Sequence, residues 1–188
     1  MPKIESAKIA ILATDGYERS ELREPRDFLK SKGATVDVVS LKVGEIKSWD
    51  KDDWGDTVTV DKTLDEVSVG DYDALVLPGG QINPDLLRLE EKVVRFVREF
   101  GASGKTLAAI CHAPWLLIEA GLVKDRQVTS YKSIKTDVIN AGGQWVDQEV
   151  VVDEAIVTSR NPKDIAAFNA KIVEEIEEGR HERRVAAE

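Results

Sequence analysis

Short apolar runs alternate with longer amphipathic segments along most of the chain. The apolar runs predict strands covered on both faces, as in a parallel sheet, and the amphipathic segments predict the covering helices. This alternation predicts an α/β domain with a largely parallel sheet. The predicted strands are 8–13, 34–40, 74–77, 106–111, 144–146, 150–152 and 156–158, and the predicted helices are 20–32, 86–100, 115–120, 134–141 and 162–178.

Three segments carry finer expectations. Helix 20–32 places Leu22, Phe28 and Leu29 inward and accommodates Pro25 near its first turn. Helix 86–100 is strongly amphipathic, and a polar stretch from Lys42 to Asp56 could form a hairpin with Thr57 to Asp61. The inward side chains expected of helix 86–100 are Leu86, Leu89, Val93, Phe96, Val97 and Phe100.

Composition narrows the class of protein. The 188 residues suffice for one sizeable domain over 1–188, with a flexible tail from about 179 that contains His181. A net charge of −9 argues against nucleic-acid binding. A single cysteine fits a reducing compartment, and neither a signal peptide nor a membrane-spanning run is recognisable. We therefore expect a cytoplasmic protein with no membrane partner.

The one cysteine, Cys111, lies where a predicted strand meets a predicted helix, which is the layout of a nucleophile elbow. The helix N-terminus would favour the thiolate. His112 follows directly and could act as a general acid or base through irregular turn geometry. The alternative is a buried cysteine that acts only as a small hydrophobe.

Other turns at the carboxyl ends of strands could converge on Cys111. Glu18 could be a protonated donor to the sulfur, or simply a solvated loop residue. Gly79 and Gly80 could turn backbone N–H groups toward an oxyanion, or merely end a strand. Asp85 could orient His112, or only complement a helix dipole. Cysteine and histidine spacing indicates no zinc site, and no phosphate-binding motif is present.

Taken in order, several segments resemble the PfpI family, a group of intracellular cysteine peptidase-like proteins in the class I glutamine amidotransferase-like superfamily. The resemblance spans about residues 7 to 175. The segments are Ala-Leu-Val-Leu-Pro-Gly-Gly (74–80), Ala-Ile-Cys-His-Ala-Pro (109–114), Ile-Asn-Ala-Gly-Gly-Gln-Trp-Val-Asp (139–147), Glu-Val-Val-Val-Asp (149–153) and Val-Thr-Ser-Arg (157–160).

The resemblance implies a flavodoxin-like three-layer α/β/α sandwich, with Cys111 at the elbow. It implies that Glu18 contacts the cysteine, that His112 is the histidine beside it and that Gly80 lies in the oxyanion hole. It also implies a homodimer or larger assembly, in which Asp85 supports the histidine across a subunit interface.

Three positions depart from the family pattern. Ala113 replaces a glycine, and its methyl group could narrow the pocket or shift the helix. Asp85 is one methylene shorter than the usual glutamate, which puts its reach to His112 in doubt. The segment Lys47 to Asp56 is longer and carries two tryptophans, which could reshape the site or the interface.

Three functions remain open at this stage. The favoured hypothesis is a cofactor-free glyoxalase or deglycase, in which Cys111 attacks a small aldehyde or a glycated group and Glu18 or His112 moves protons. The second is an intracellular peptidase acting on peptide substrates. The third is a redox sensor that works by oxidation of Cys111.

Overall fold

A computed structural model describes residues 3–181, so residues 182–188 of the predicted flexible tail lie outside the described range. The strands are β1 (Lys8–Leu12), β2 (Tyr17–Glu18), β3 (Thr35–Ser40), β4 (Glu45–Asp50), β5 (Asp53–Thr59), β6 (Lys62–Thr63), β7 (Ala74–Leu77), β8 (Thr106–Ile110), β9 (Gln127–Val128), β10 (Gln144–Trp145), β11 (Val150–Asp153) and β12 (Ile156–Ser159). The α-helices are α1 (Arg19–Ser31), α2 (Ile82–Arg88), α3 (Glu91–Ala102), α4 (Pro114–Glu119), α5 (Lys135–Asn140) and α6 (Ile165–Glu178).

The central sheet has seven strands in the order β11-β12-β8-β7-β1-β3-β6. Each neighbouring pair is parallel except β11 with β12. This arrangement confirms the predicted α/β fold with a mainly parallel sheet. It also brings the carboxyl ends of β1, β7 and β8 side by side, which is where ligands bind in such sheets.

Alternation along β1 divides the core into two layers. Ile9 and Ile11 pack with helices α1 and α6, whereas Ala10 and Leu12 pack with α2, α3 and α4 on the opposite face. Successive side chains of a strand point to opposite faces, so each strand contributes to both layers. No helix among residues 3–181 has the length and apolar character that a membrane span requires.

The single helix predicted at 86–100 is two helices. Glu90 adopts an extended backbone that separates α2 from α3. Because of this break, α2 does not extend the buried apolar face of α3. Leu86 and Leu89 are therefore 42% and 78% exposed, and the prediction that they point inward is wrong. Val93 and the three other apolar residues expected inward on α3 are buried.

Pro25 is the seventh residue of α1 and not part of its first turn. A proline in the helix interior lacks the N–H that would bond to the carbonyl four residues earlier, which here belongs to Glu21. Leu22 and Leu29 face the core as predicted, and Phe28 packs partly against it. Strands β4 and β5 form the expected hairpin, but its turn falls earlier, at Lys51 with φ 62°.

Candidate active site

Cys111 occupies the turn between β8 and α4, with φ 66°. A left-handed backbone costs a non-glycine residue about 1–2 kcal/mol, so the surroundings must hold it in place. Two backbone hydrogen bonds do so: Cys111 N–H donates to Ser159 O at 3.0 Å, and Tyr131 N–H donates to Cys111 O at 2.7 Å. The residue is 6% exposed, and its sulfur lies at the wall of a cavity.

The carboxyl group against this thiol is that of Glu21, in the first turn of α1. Glu21 is fully buried, and its carboxyl group lies beside Cys111, while its Oε1 has no hydrogen-bond partner among the described residues. Its Oε2 accepts the Gly79 N–H at 2.8 Å. Burial, reinforced by the nearby Glu18 charge, raises the pKa of Glu21 to about 8. Glu21 is therefore mostly protonated at neutral pH and can donate to the sulfur.

Glu18, which the resemblance matched to this role, lies elsewhere. It precedes α1 with an extended backbone, lines the cavity, and accepts a hydrogen bond from Ser20 Oγ at 3.3 Å. Burial raises the pKa of Glu18 as well. The sequence does hold a signal for the correct residue. Glu21 lies next to Leu22 on the buried face of α1, which also includes Leu29 and packs against the sheet.

The two glycines after β7 have different tasks. The Gly79 N–H is taken by Glu21, so it does not serve the oxyanion as expected. The backbone N–H groups of Gly80 and His112 lie near the Cys111 sulfur and lower the pKa of the thiol. A Cβ at Gly80 would lie 2.5 Å from Gly16 O at a φ of 78°, so only glycine fits. Gly80 thus remains the candidate oxyanion donor, joined by His112.

The imidazole of His112 bridges the thiol and a hydroxyl. Nδ1 lies 3.1 Å from Cys111 Sγ and Nε2 lies 3.1 Å from Ser133 Oγ. The ring stacks on Tyr131 with centroids 4.7 Å apart. Burial lowers the pKa of His112, which favours the neutral ring. Asp85 is exposed on α2, and no hydrogen bond within the described residues joins it to His112.

The electrostatic balance at the sulfur favours the thiol. Burial raises the pKa of Cys111, and the neighbouring Glu21 raises it further, although the N–H groups of Gly80 and His112 act in the opposite direction. The expectation that the helix N-terminus would favour the thiolate is therefore wrong for the resting site, since desolvation outweighs the backbone donors. Cys111 must pass its proton to a neighbour when it reacts.

A cavity of about 570 Å³ opens above these groups. Trp49 and Lys51 of the β4–β5 hairpin line it, so the tryptophan-bearing segment does shape the site. Trp49 packs edge-on against Trp54 with centroids 5.6 Å apart. Ala113 does not line the cavity, because its methyl group is fully buried in the core layer of α2–α4. The prediction that this methyl group narrows the pocket is wrong.

Comparison with known proteins adds to this geometry. The family model described as DJ-1/PfpI family matches residues 7–175. Protein/nucleic acid deglycase 2 of Escherichia coli is 46% identical over 87% of this chain and 94% of that protein. Putative cysteine protease YraA of Bacillus subtilis is 41% identical over 87% of this chain and 95% of that protein. A crystal structure from Anabaena variabilis, of a two-domain protein with DJ-1/ThiJ/PfpI-like and ferritin-like domains, superposes with a TM-score of 0.86 at 35% identity, covering 97% of this chain and 52% of that one.

Proposed function

Because the chain belongs to the DJ-1/PfpI family, we propose that it is a cysteine-dependent enzyme that acts without a cofactor on reactive aldehydes or glycated groups. Cys111 is the nucleophile, and Glu21 takes the proton-transfer role first considered for Glu18. The deglycase name of the E. coli relative supports this choice. The observation that carries the proposal is the buried Glu21 carboxyl, with a pKa of about 8, held against the thiol.

The first step is addition of the thiol to the aldehyde of methylglyoxal. The sulfur–carbon bond forms as the C=O π pair moves onto oxygen, and the thiol proton reaches that oxygen through Glu21. The product is a hemithioacetal, and the N–H groups of Gly80 and His112 stabilise the negative charge that develops on its oxygen. A group with a pKa near the working pH both gives and takes protons efficiently, which fits Glu21.

The second step moves a proton from the former aldehyde carbon to the neighbouring keto carbon. Glu21 or the neutral His112 accepts the proton and returns it, so that the keto group becomes a hydroxyl and the hemithioacetal becomes a thioester of lactate. Water then cleaves the thioester, which releases lactate and restores the thiol. The sum is methylglyoxal plus water giving lactate, and no external oxidant or reductant is needed.

The environment of His112 favours this chemistry over peptide hydrolysis. Expelling an amine requires a protonated acid, and a carboxylate partner usually stabilises the imidazolium that forms. Here Nε2 faces Ser133 Oγ, and burial lowers the pKa of the ring. Aldehyde addition requires no amine to leave, so a neutral imidazole suffices.

The test is lactate production from methylglyoxal by the full chain without added cofactor. We expect turnover in the native protein, loss in Cys111→Ser and a large loss in Glu21→Gln. Glu18→Gln is the matched control, since it makes the same glutamate-to-glutamine change at another residue of the cavity wall, and it should keep most of the activity. Absence of turnover in folded native protein refutes the proposal.

Two alternatives have distinct outcomes in the same series. A peptidase, as the YraA name suggests for that relative, would cleave an unfolded peptide substrate and lose this activity in Asp85→Ala. A sensor would show oxidation of Cys111 by peroxide with no turnover.

We further propose a homodimer in which Asp85 approaches His112 of the second copy. Analytical ultracentrifugation of the native chain tests whether it is a dimer.

A further inference from the structure

The carboxyl-terminal end of α6 carries a cluster of side chains that the proposed chemistry does not use. Glu175 and Glu178 lie one turn apart on α6, and His181 follows the helix end. One ligand atom from each residue lies within 4.8 Å of the others. His181 N–H donates to Gly104 O at 2.9 Å, just before β8 begins. The cluster therefore lies at the end of β8 opposite to Cys111.

One member of the cluster is a buried carboxylate in need of a partner. Glu175 is 4% exposed, and its Oε2 is buried without a hydrogen bond from the described residues. Nε2 of His181 lies 3.3 Å from this oxygen, where a protonated imidazole would form an ion pair, but a neutral imidazole leaves both atoms buried without a hydrogen bond. With the imidazole neutral, the two facing atoms form a costly desolvated site, and a shared cation would satisfy both of them.

The charge around the cluster is also unbalanced. The last turn of α6 contains no basic residue, although the negative end of the helix dipole favours cations there. Lys171, on the same helix, is bonded to Glu174 at 2.7 Å. Glu178 lies one turn away and adds its negative charge to that of Glu175, while His181 and Lys171 act in the opposite direction. A divalent cation would offset all of these unfavourable interactions.

The two distances from His181 Nε2 to the carboxylate oxygens are close to those of a tetrahedral metal site. With bonds of about 2.0–2.2 Å, two ligand atoms of a tetrahedral site are about 3.3–3.6 Å apart. His181 Nε2 lies 3.3 Å from Glu175 Oε2 and 3.7 Å from Glu178 Oε2. An imidazole with two carboxylates suits zinc better than calcium or magnesium, which prefer oxygen ligands alone.

We propose that Glu175, Glu178 and His181 bind a divalent transition-metal ion, with Zn²⁺ as its occupant and water as the fourth ligand. The ion ties the chain after α6 to the loop before β8, through the backbone bond between His181 and Gly104. Its role is structural, because it lies at the opposite end of β8 from the reactive thiol. The spacing of cysteine and histidine alone does not reveal this site, since two of the ligands are glutamates.

The test is calorimetric titration of chelator-treated, full-length protein with zinc chloride, in a Cys111→Ser background that removes the competing thiol. We expect one zinc ion per chain. At free zinc of about one hundred times the dissociation constant, the midpoint of thermal unfolding should rise by about 5–10 °C. Both effects should vanish in Glu175→Gln and His181→Ala, and both should persist in Glu177→Gln, an exposed control on the same helix.

Each other outcome overturns the proposal. Absence of binding in the Cys111→Ser background shows that no such site exists, or that any zinc bound by the native chain requires the thiol. If His181→Ala and Glu175→Gln bind zinc as tightly as the Cys111→Ser protein does, the ion is bound elsewhere. If Glu175→Gln fails to fold, His181→Ala decides the question alone, since the His181 side chain is partly exposed and lies beyond the helix end.

Discussion

Replacing Glu21 with glutamine should stabilise the fold while slowing the enzyme, and the stabilisation should grow with pH. The amide oxygen of glutamine can still accept the Gly79 N–H that Oε2 now accepts at 2.8 Å, and the amide N–H group would take the place of Oε1, which has no hydrogen-bond partner among the described residues. What the substitution removes is the ionised form of a fully buried carboxyl group. The size of the effect follows from the pKa of Glu21.

Burial raises that pKa from 4.5 to about 8 in the folded protein. A group whose folded pKa is raised contributes stability that is complete below the unfolded pKa and is lost as pH rises through the folded pKa. The window is therefore between 4.5 and about 8. At about 1.4 kcal/mol per pH unit, the native chain should lose up to about 5 kcal/mol relative to Glu21→Gln across that window.

Urea denaturation from about pH 4.5 to about pH 9 measures this difference. The two proteins should have nearly equal free energies of unfolding at the acid end, and the variant should be more stable by several kcal/mol at the alkaline end. Glu24→Gln is the control, because it makes the same chemical change at an exposed position of α1. A difference that stays constant with pH, or one that Glu24→Gln reproduces, would refute the buried-acid reasoning.

Three further predictions concern the groups around Cys111. Asn83→Ala should lower the free energy of unfolding in urea by about 2–3 kcal/mol. The buried Asn83 amide accepts the Thr14 N–H at 2.7 Å and donates to two backbone carbonyls after β7, so its loss leaves these groups unpaired. An unchanged midpoint of urea denaturation contradicts this prediction. Gly80→Ala should cost about 2 kcal/mol or more and abolish turnover, since the new Cβ meets backbone at 2.5 Å; an active, stable variant would show that the turn can relax. Ser133→Ala should reduce kcat severalfold, because it removes the hydroxyl that contacts His112 Nε2. The free energy of unfolding should change by less than about 0.5 kcal/mol, because Ser133 is exposed. An unchanged kcat would show that this contact does not contribute to catalysis.

Particular elements show how far sequence reasoning reaches. The strand ending at Leu77 was predicted with its exact bounds, because a short continuous apolar run followed by Pro-Gly-Gly leaves little choice. The helix expected at 86–100 was not, since its apolar spacing continues across Glu90 and only the backbone there reveals the break. Periodicity reports which side chains are apolar, and it carries no information on where a helix changes direction.

The residues of the candidate site were likewise only partly identified from the sequence. Cys111 and His112 were identified from the chain, because the strand, the turn and the helix around them are local features. Glu18 was the residue proposed from the sequence, and the structure places Glu21, three residues later on α1, beside the sulfur. Which of them meets the sulfur depends on how α1 packs against the sheet.

The sequence by itself determined the alternation of strands and helices, the parallel sheet and the placement of the one cysteine after a buried strand, because each follows from short-range hydrophobic patterns. Only the tertiary structure decided that Glu21 lies beside Cys111, that the Gly79 N–H donates to Glu21 and that His112 faces Ser133. These contacts join segments far apart in the chain. Their distances depend on the order of β1, β7 and β8 in the sheet, and no local pattern encodes that order.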